Sequence, residues 1–151
     1  MTVKKGIKMD SAPGEPTLHH IGFVVTSISK VIERFARSIA GQWDGAIIHD
    51  PIQAARVAFI RSSLPQQAMI ELVEPSADNA PTLGFLKRGG GLHHLCYEVD
   101  NLDRQLTEMR SLGALITKQP APAVAFEGRR IAWVYTAERL LLEYLERANG
   151  G

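Results

Sequence analysis

One octapeptide occurs twice in this chain of 151 residues. Leu18-His-His-Ile-Gly-Phe-Val-Val25 returns as Leu92-His-His-Leu-Cys-Tyr-Glu-Val99, so that His20 and His94 stand 74 residues apart (94 − 20). Near the end of each half a second stretch matches, Ala68-Met-Ile-Glu-Leu-Val-Glu74 against Leu140-Leu-Leu-Glu-Tyr-Leu-Glu146, and its Glu71 and Glu143 stand 72 apart (143 − 71). Two nearly equal spacings define a duplicated unit with one His near its start and one Glu near its end. If the halves pair about a pseudo-two-fold axis, two imidazoles and two carboxylates converge, and that donor set suits a divalent metal ion.

Each copy reads as the same run of elements. Leu18 to Thr26 is rich in β-branched and aromatic residues and reads as a strand; Ser27 follows as an N-cap, and Ile28, Val31, Ile32, Phe35 and Ile39 recur at helical spacing up to Gly41. Three further strands are expected at about 43–50, 55–62 and 68–74. In the second half, 92–100 is a strand, Asp100 or Asn101 a cap, and Leu102, Leu106, Met109 and Leu112 an apolar helical stripe; strands follow at about 115–117, 130–136 and 140–145, and the prolines at 120 and 122 make 119–128 a loop. The expected fold is α+β: two tandem βαβββ modules forming a curved, mostly antiparallel sheet. Module 1 spans about 17–75, a linker with a short helical turn spans 76–91, and module 2 spans about 92–147. Together they make one domain over 17–147, with a mobile tail at 1–16 and a short tail at 148–151.

Strand alternation assigns faces. His20 shares one with Gly22 and Val24, and His94 shares one with Cys96 and Glu98; His19 and His93 are expected to point the other way. Glu74 and Glu146 fall on the strand face opposite Glu71 and Glu143, where solvated carboxylates are expected. Glu98 is a candidate to support a ligand, and Cys96 reads as a small buried thiol.

Composition narrows the function. Seventeen basic against sixteen acidic residues give a net charge of +1 and no electrostatic footprint for nucleic acid or an anionic membrane. A single cysteine excludes an internal disulfide and a multi-cysteine zinc site, and fits a cytoplasmic setting. The lysines at 4, 5 and 8 precede no apolar run, so neither a signal peptide nor a spanning helix is expected.

Paired βαβββ modules that open with His-His-Ile-Gly or His-His-Leu and close with Ile-Glu-Leu or Leu-Glu-Tyr resemble the vicinal oxygen chelate superfamily, which includes glyoxalase I, methylmalonyl-CoA epimerase, extradiol dioxygenases and metal-free bleomycin-binding proteins. The resemblance covers Leu18 to Glu146. The stretches Ile70-Glu-Leu-Val-Glu-Pro75 and Gly91-Leu-His-His94 with Cys96-Tyr-Glu-Val99 place it near the glyoxalases and epimerases. It implies His20, Glu71, His94 and Glu143 as ligands of one divalent ion, Ni²⁺, Co²⁺, Zn²⁺ or Mn²⁺, with Glu143 or Glu71 as the catalytic base, a small thiol-linked substrate and a homodimer. Arg56, Arg129 and Arg130 are candidates to hold the carboxylates of glutathione or the phosphates of CoA. The epimerases carry a second carboxylate just before the third strand, where this chain has Ile52, with Asp50 nearby. That departure favours a lactoylglutathione lyase-like enzyme, with methylmalonyl-CoA epimerase as the alternative and a metal-free drug-binding protein as a second. A dioxygenase would use two His and one carboxylate on Fe²⁺, and the fourth ligand argues against it.

Overall fold

The computed structural model describes residues 14–64 and 66–149; residues 1–13 of the expected amino-terminal tail and 150–151 of the carboxy-terminal one lie outside them. Module 1 runs β1 (Thr17–Val24), α1 (Ile28–Ser38), β2 (Gln42–Trp43), β3 (Ile48–Asp50), β4 (Ala55–Arg61) and β5 (Met69–Pro75). A five-residue helix, α2 (Leu83–Lys87), lies in the connection. Module 2 runs β6 (Gly91–Val99), α3 (Leu102–Ser111), β7 (Leu115–Pro122), a 3-10 turn (Val124–Phe126), β8 (Arg130–Tyr135) and β9 (Leu141–Glu146). The nine strands form one curved open sheet in the order β2-β4-β5-β1-β6-β9-β8-β7, with β3 also on β4. The two His-His strands, β1 and β6, pair antiparallel at its centre; each has its own module's Glu strand beside it in parallel, and all other pairs are antiparallel. The α+β duplication is therefore observed, with the pseudo-dyad between β1 and β6.

The helices cover one face and leave the other free for chemistry. On α1, Ile28, Ile32 and Ala36 pack on Ala58, Ile60 and Leu72; on α3, Leu102, Leu106 and Met109 pack on Val134, Leu142 and Tyr144. Burying a side chain such as Leu102, fully excluded from solvent, contributes roughly 1.5–3 kcal/mol. Because alternation sends Ile70 and Leu72 to the helix, Glu71 and Val73 must face the concave side, and Glu143 follows in β9.

Two boundaries differ from the sequence expectation. The strand expected at 43–50 is two short ones, because Gly45 takes a positive φ of 84° and Ala46 N–H is held by the Asp44 carboxylate. The last strand before the 3-10 turn runs through Pro120 to Pro122, where a loop was expected; β7 pairs only with β8, and an edge strand tolerates a residue without N–H. The N-caps also diverge. Asn101 accepts from Arg104 N–H at 2.9 Å, whereas Ser27 makes no side-chain cap. Instead Glu74 Oε2 accepts from Ile28 N–H at 2.9 Å, and Glu146 Oε2 from Leu102 N–H at 3.1 Å. The two glutamates expected to be solvated therefore tie the last strand of each module to its helix.

Candidate metal centre

His20, Glu71, His94 and Glu143 meet at the middle of the sheet within a single chain, all buried. His20 Nε2 lies 3.2 Å from His94 Nε2, 3.3 Å from Glu71 Oε2 and 3.2 Å from Glu143 Oε1; His94 Nε2 lies 3.8 Å from Glu71 Oε1. One proton on His20 Nε2 can serve only one of these three neighbours, and Glu143 Oε1, though close, makes no well-directed hydrogen bond. A buried point surrounded by more lone pairs than protons is costly when empty of charge compensation. The residues present therefore fit a divalent cation: His20, Glu71 and His94 each bring one donor atom within 4.8 Å of the others, and Glu143, in contact with His20, is placed to add a fourth.

The electrostatics agree with crowding of this kind. Burial disfavours charge on His20, yet the facing Glu71 and Glu143 outweigh it and hold its pKa above the ordinary imidazole value. Burial lowers His94 to about 3. Burial also raises Glu71; it opposes ionisation of Glu143 too, but contact with the His20 ring and the Cys96 thiol outweighs it and holds that carboxyl well down. Cys96, paired with Glu143 across β6 and β9, is pushed up by burial and by that carboxylate, so it stays a thiol.

Rigid packing aims the rings. Phe126 stacks on His20 at 5.7 Å, and Trp133 meets the His94 ring edge-on at 4.6 Å. Gly22 lies opposite His94 in the central strand pair, and a β-carbon there would collide with the His94 ring. Only glycine lets that imidazole cross the strand.

His19 and His93 do not point away, as simple alternation requires. In the central pair Leu18 opposes Tyr97 and His20 opposes Cys96, which leaves His19 as an extra residue; Gly22 opposes His94 and Phe23 opposes Leu92, which leaves His93 as another. Each His-His pair thus sits at a β-bulge, and a bulge re-aims its side chains. As a result His19 Nδ1 lies 2.8 Å from His20 Nδ1, and His93 Nδ1 lies 2.9 Å from His94 Nδ1. His19 is pushed down to about 4 by burial and then by the charge of His20, and stays neutral.

Glu71, His94 and Glu143 line a cavity of about 240 Å³ walled by Val57, Val73, Phe126, Ile131 and Trp133. Gln53 and Lys118 line its polar side: Lys118 Nζ donates to Gln53 Oε1 at 3.0 Å, and Gln53 Nε2 is buried without a partner. Neither was singled out from sequence, where a lone Gln in a turn gives no signal. Ile52 is half exposed, and the neighbouring Asp50 is buried with its carboxylate taken up by the N–H groups of Ile52, Gln53 and Val124. The three arginines expected at the substrate have other partners: Arg56 pairs with Glu74 at 3.3 Å, Arg129 with Glu98 at 3.6 Å, and Arg130 with Glu146 at 2.8 Å and Asp103 at 3.0 Å. None of them lines the cavity. A groove beside it does carry cations. It shares Pro81, His93, His94 and Leu141 with the cavity and adds Arg88 and Arg139, neither ion-paired among the described residues. No helix among the described residues is long and apolar enough to cross a membrane.

Residues 19–133 match the model of the Glyoxalase/Bleomycin resistance protein/Dioxygenase superfamily. The chain is 28% identical over 120 residues to the ethylmalonyl-CoA/methylmalonyl-CoA epimerase of Cereibacter sphaeroides, covering 78% of this chain and 87% of that protein. It is 24% identical over 145 residues to the mitochondrial methylmalonyl-CoA epimerase of Bos taurus, covering 91% and 80%. Among solved structures, a hypothetical protein of Bacillus halodurans superimposes with a TM-score of 0.77 at 28% identity, covering 91% of this chain and 98% of that one. Methylmalonyl-CoA epimerase from Mycobacterium tuberculosis does so with a TM-score of 0.72 at 26% identity, covering 91% and 93%.

Proposed function

Because the chain belongs to the glyoxalase/bleomycin resistance protein/dioxygenase superfamily, we propose that it is a divalent-metal isomerase acting at the carbon next to the carbonyl of a CoA thioester, in the manner of a methylmalonyl-CoA epimerase. The observation that carries this reading is the buried group of His20, Glu71 and His94, with Glu143 against His20, of which Glu71, His94 and Glu143 line a cavity. The named epimerases among the relatives move the weight from the glyoxalase expectation to its alternative.

His20, Glu71, His94 and Glu143 would hold the metal. Bound there, a divalent ion would polarise the substrate carbonyl and offset the negative charge that develops as the neighbouring proton leaves. The residues of the chain supply the rest. Glu143, with one oxygen lacking a hydrogen bond, takes the proton at its carboxylate. The apolar walls around Trp133 and Phe126 exclude water from that step. Gln53 Nε2 and Lys118 Nζ donate to an acidic group on the acyl moiety. Arg88 and Arg139 receive the phosphates of the CoA tail in the adjoining groove.

A second reading, the glyoxalase reaction on a hemithioacetal, is favoured by one observation: Ile52 stands half exposed where a second base was sought, and the oxygens of Asp50 are already engaged. Metal-reconstituted protein tests both. It is expected to exchange the α-proton of methylmalonyl-CoA with D₂O and invert that centre at a rate typical of enzymes, on the order of 10 per second. Rapid conversion of a methylglyoxal–thiol hemithioacetal with no such exchange would overturn it in favour of the glyoxalase, and failure to bind any divalent ion would leave a metal-free binding protein.

A further inference from the structure

We infer that His19 and Glu98 are positioning residues that hold His20 in a single tautomer, and that the second module has no equivalent device for His94. The inference rests on the reading of the four-donor cluster as a metal centre.

A metal ligand must offer a lone pair at the nitrogen that faces the ion, so the proton of a neutral imidazole must sit on the other nitrogen. In module 1 the surroundings dictate where it sits. Glu98 Oε2 lies 3.6 Å from Arg129 Nη1 and 3.9 Å from Arg147 Nε, two guanidinium groups that hold this carboxylate in place. Its other oxygen lies 3.4 Å from His19 Nε2, and an anion at that distance favours a proton on this nitrogen. His19 Nδ1 is then an acceptor. At 2.8 Å it receives the proton of His20 Nδ1, so His20 Nε2, which faces Glu71, Glu143 and His94, is the nitrogen left to a cation.

The same construction fails in module 2. His93 Nδ1 lies 2.9 Å from His94 Nδ1, so the inner contact is repeated. Beyond it, the residue equivalent to Glu98 by the 74-residue repeat is Val24, buried among Val57 and Val73. The His93 ring packs on Phe85 at 4.8 Å and near Trp133 at 6.0 Å, and among the described residues no carboxylate is ion-paired with it. Nothing there selects which of its nitrogens carries the proton. His20 is the preset donor of the pair, and His94 adapts.

Zn²⁺ affinity by competition titration, together with nitrogen chemical shifts of the imidazoles in ¹⁵N-labelled protein, tests this. Losing the outer partner of a metal-bound His lowers affinity about 10–100-fold. His19→Leu is expected to fall in that range, Glu98→Leu to follow it in the same direction, Glu98→Gln to recover part of the loss because its amide oxygen still accepts, and His93→Leu to cost well under tenfold. In the unmodified protein, above the imidazole titration range, His19 is expected to carry its proton on Nε2 and His20 to donate from Nδ1, while His93 averages both forms. Equal losses for His19→Leu and His93→Leu, or a proton on His19 Nδ1, overturn the inference. Should Zn²⁺ not bind at all, it is the metal reading that falls, and the nitrogen shifts of the unmodified protein still decide the tautomer.

Discussion

The two modules carry the same donors but surround them differently. Module 1 places Gly22 and Val24 after its histidine pair; module 2 places Cys96 and Glu98 at the equivalent positions. Because β1 and β6 lie antiparallel, each module's substitutions act on the other's histidine. Gly22 makes room for the His94 ring, Cys96 lies opposite His20, and Glu98 reaches His19 beside His20. Duplication therefore supplied a symmetric set of two histidines and two glutamates, while the neighbouring strand positions made the two sides chemically distinct. A proton-transfer site needs such a difference, since one carboxylate must act on the substrate while the other holds its place.

The largest expected effect tests which carboxylate does which. Glu143→Gln keeps an oxygen for the metal but removes the base, and general-base catalysis contributes about 10²–10⁴-fold, so α-proton exchange at equal metal occupancy is expected to fall by that factor. Glu71→Gln is expected to cost much less, because Glu143 retains the oxygen without a hydrogen bond. If Glu71→Gln is the more damaging variant, the base belongs to module 1.

The next effect concerns the central pair. Gly22→Ala drives a methyl group into the His94 ring, and overpacking of this kind costs about 1–3 kcal/mol. At the equivalent position Cys96→Ala removes a buried thiol without creating a clash, with an expected cost of about 1 kcal/mol. Denaturant midpoints and metal content of the two variants would separate these outcomes. Gly22→Ala should lower both and Cys96→Ala mainly the first. Equal behaviour would mean that the His94 ring can find another path across β1.

What the sequence made legible follows from which forces act locally. The repeat and the strand-helix alternation derive from strong periodic patterns, and the expectation that His20, Glu71, His94 and Glu143 converge follows from their matched spacing in the two halves. The bulges at His19 and His93 were not, since alternation is the only rule a strand displays in sequence and a bulge is set by the partner strand. The same limit hid Gln53, whose position on the cavity wall depends on the turn that Asp50 organises by binding three N–H groups from two modules. Charge gave the least guidance. Arg56, Arg129 and Arg130 are no different in sequence from Arg88 and Arg139, and only the placement of Glu74, Glu98, Asp103 and Glu146 shows which guanidinium groups are already engaged.

The smallest expected difference lies at the helix starts, where the modules again share a device but not its surroundings. Glu74 caps Ile28 N–H of α1, and Glu146 caps Leu102 N–H of α3. Losing a side-chain cap costs about 0.5–2 kcal/mol. In α3 the loss is cushioned, because Asn101 still accepts from Arg104 N–H at 2.9 Å. In α1 it is not, because the Ser27 hydroxyl makes no cap. Against this, Glu146 is gripped by Arg130 at 3.1 and 2.8 Å where Glu74 has a single contact with Arg56 at 3.3 Å, and both arginines are more than a third exposed, so neither pair adds much to stability. The cap should decide the order. Glu74→Ala is expected to destabilise the protein more than Glu146→Ala, and to raise hydrogen exchange in the first turn of α1 above that caused in α3 by its counterpart. A larger loss for Glu146→Ala would show that the Arg130 pair outweighs the helix start, and that the second module is held together at its surface more than at its caps.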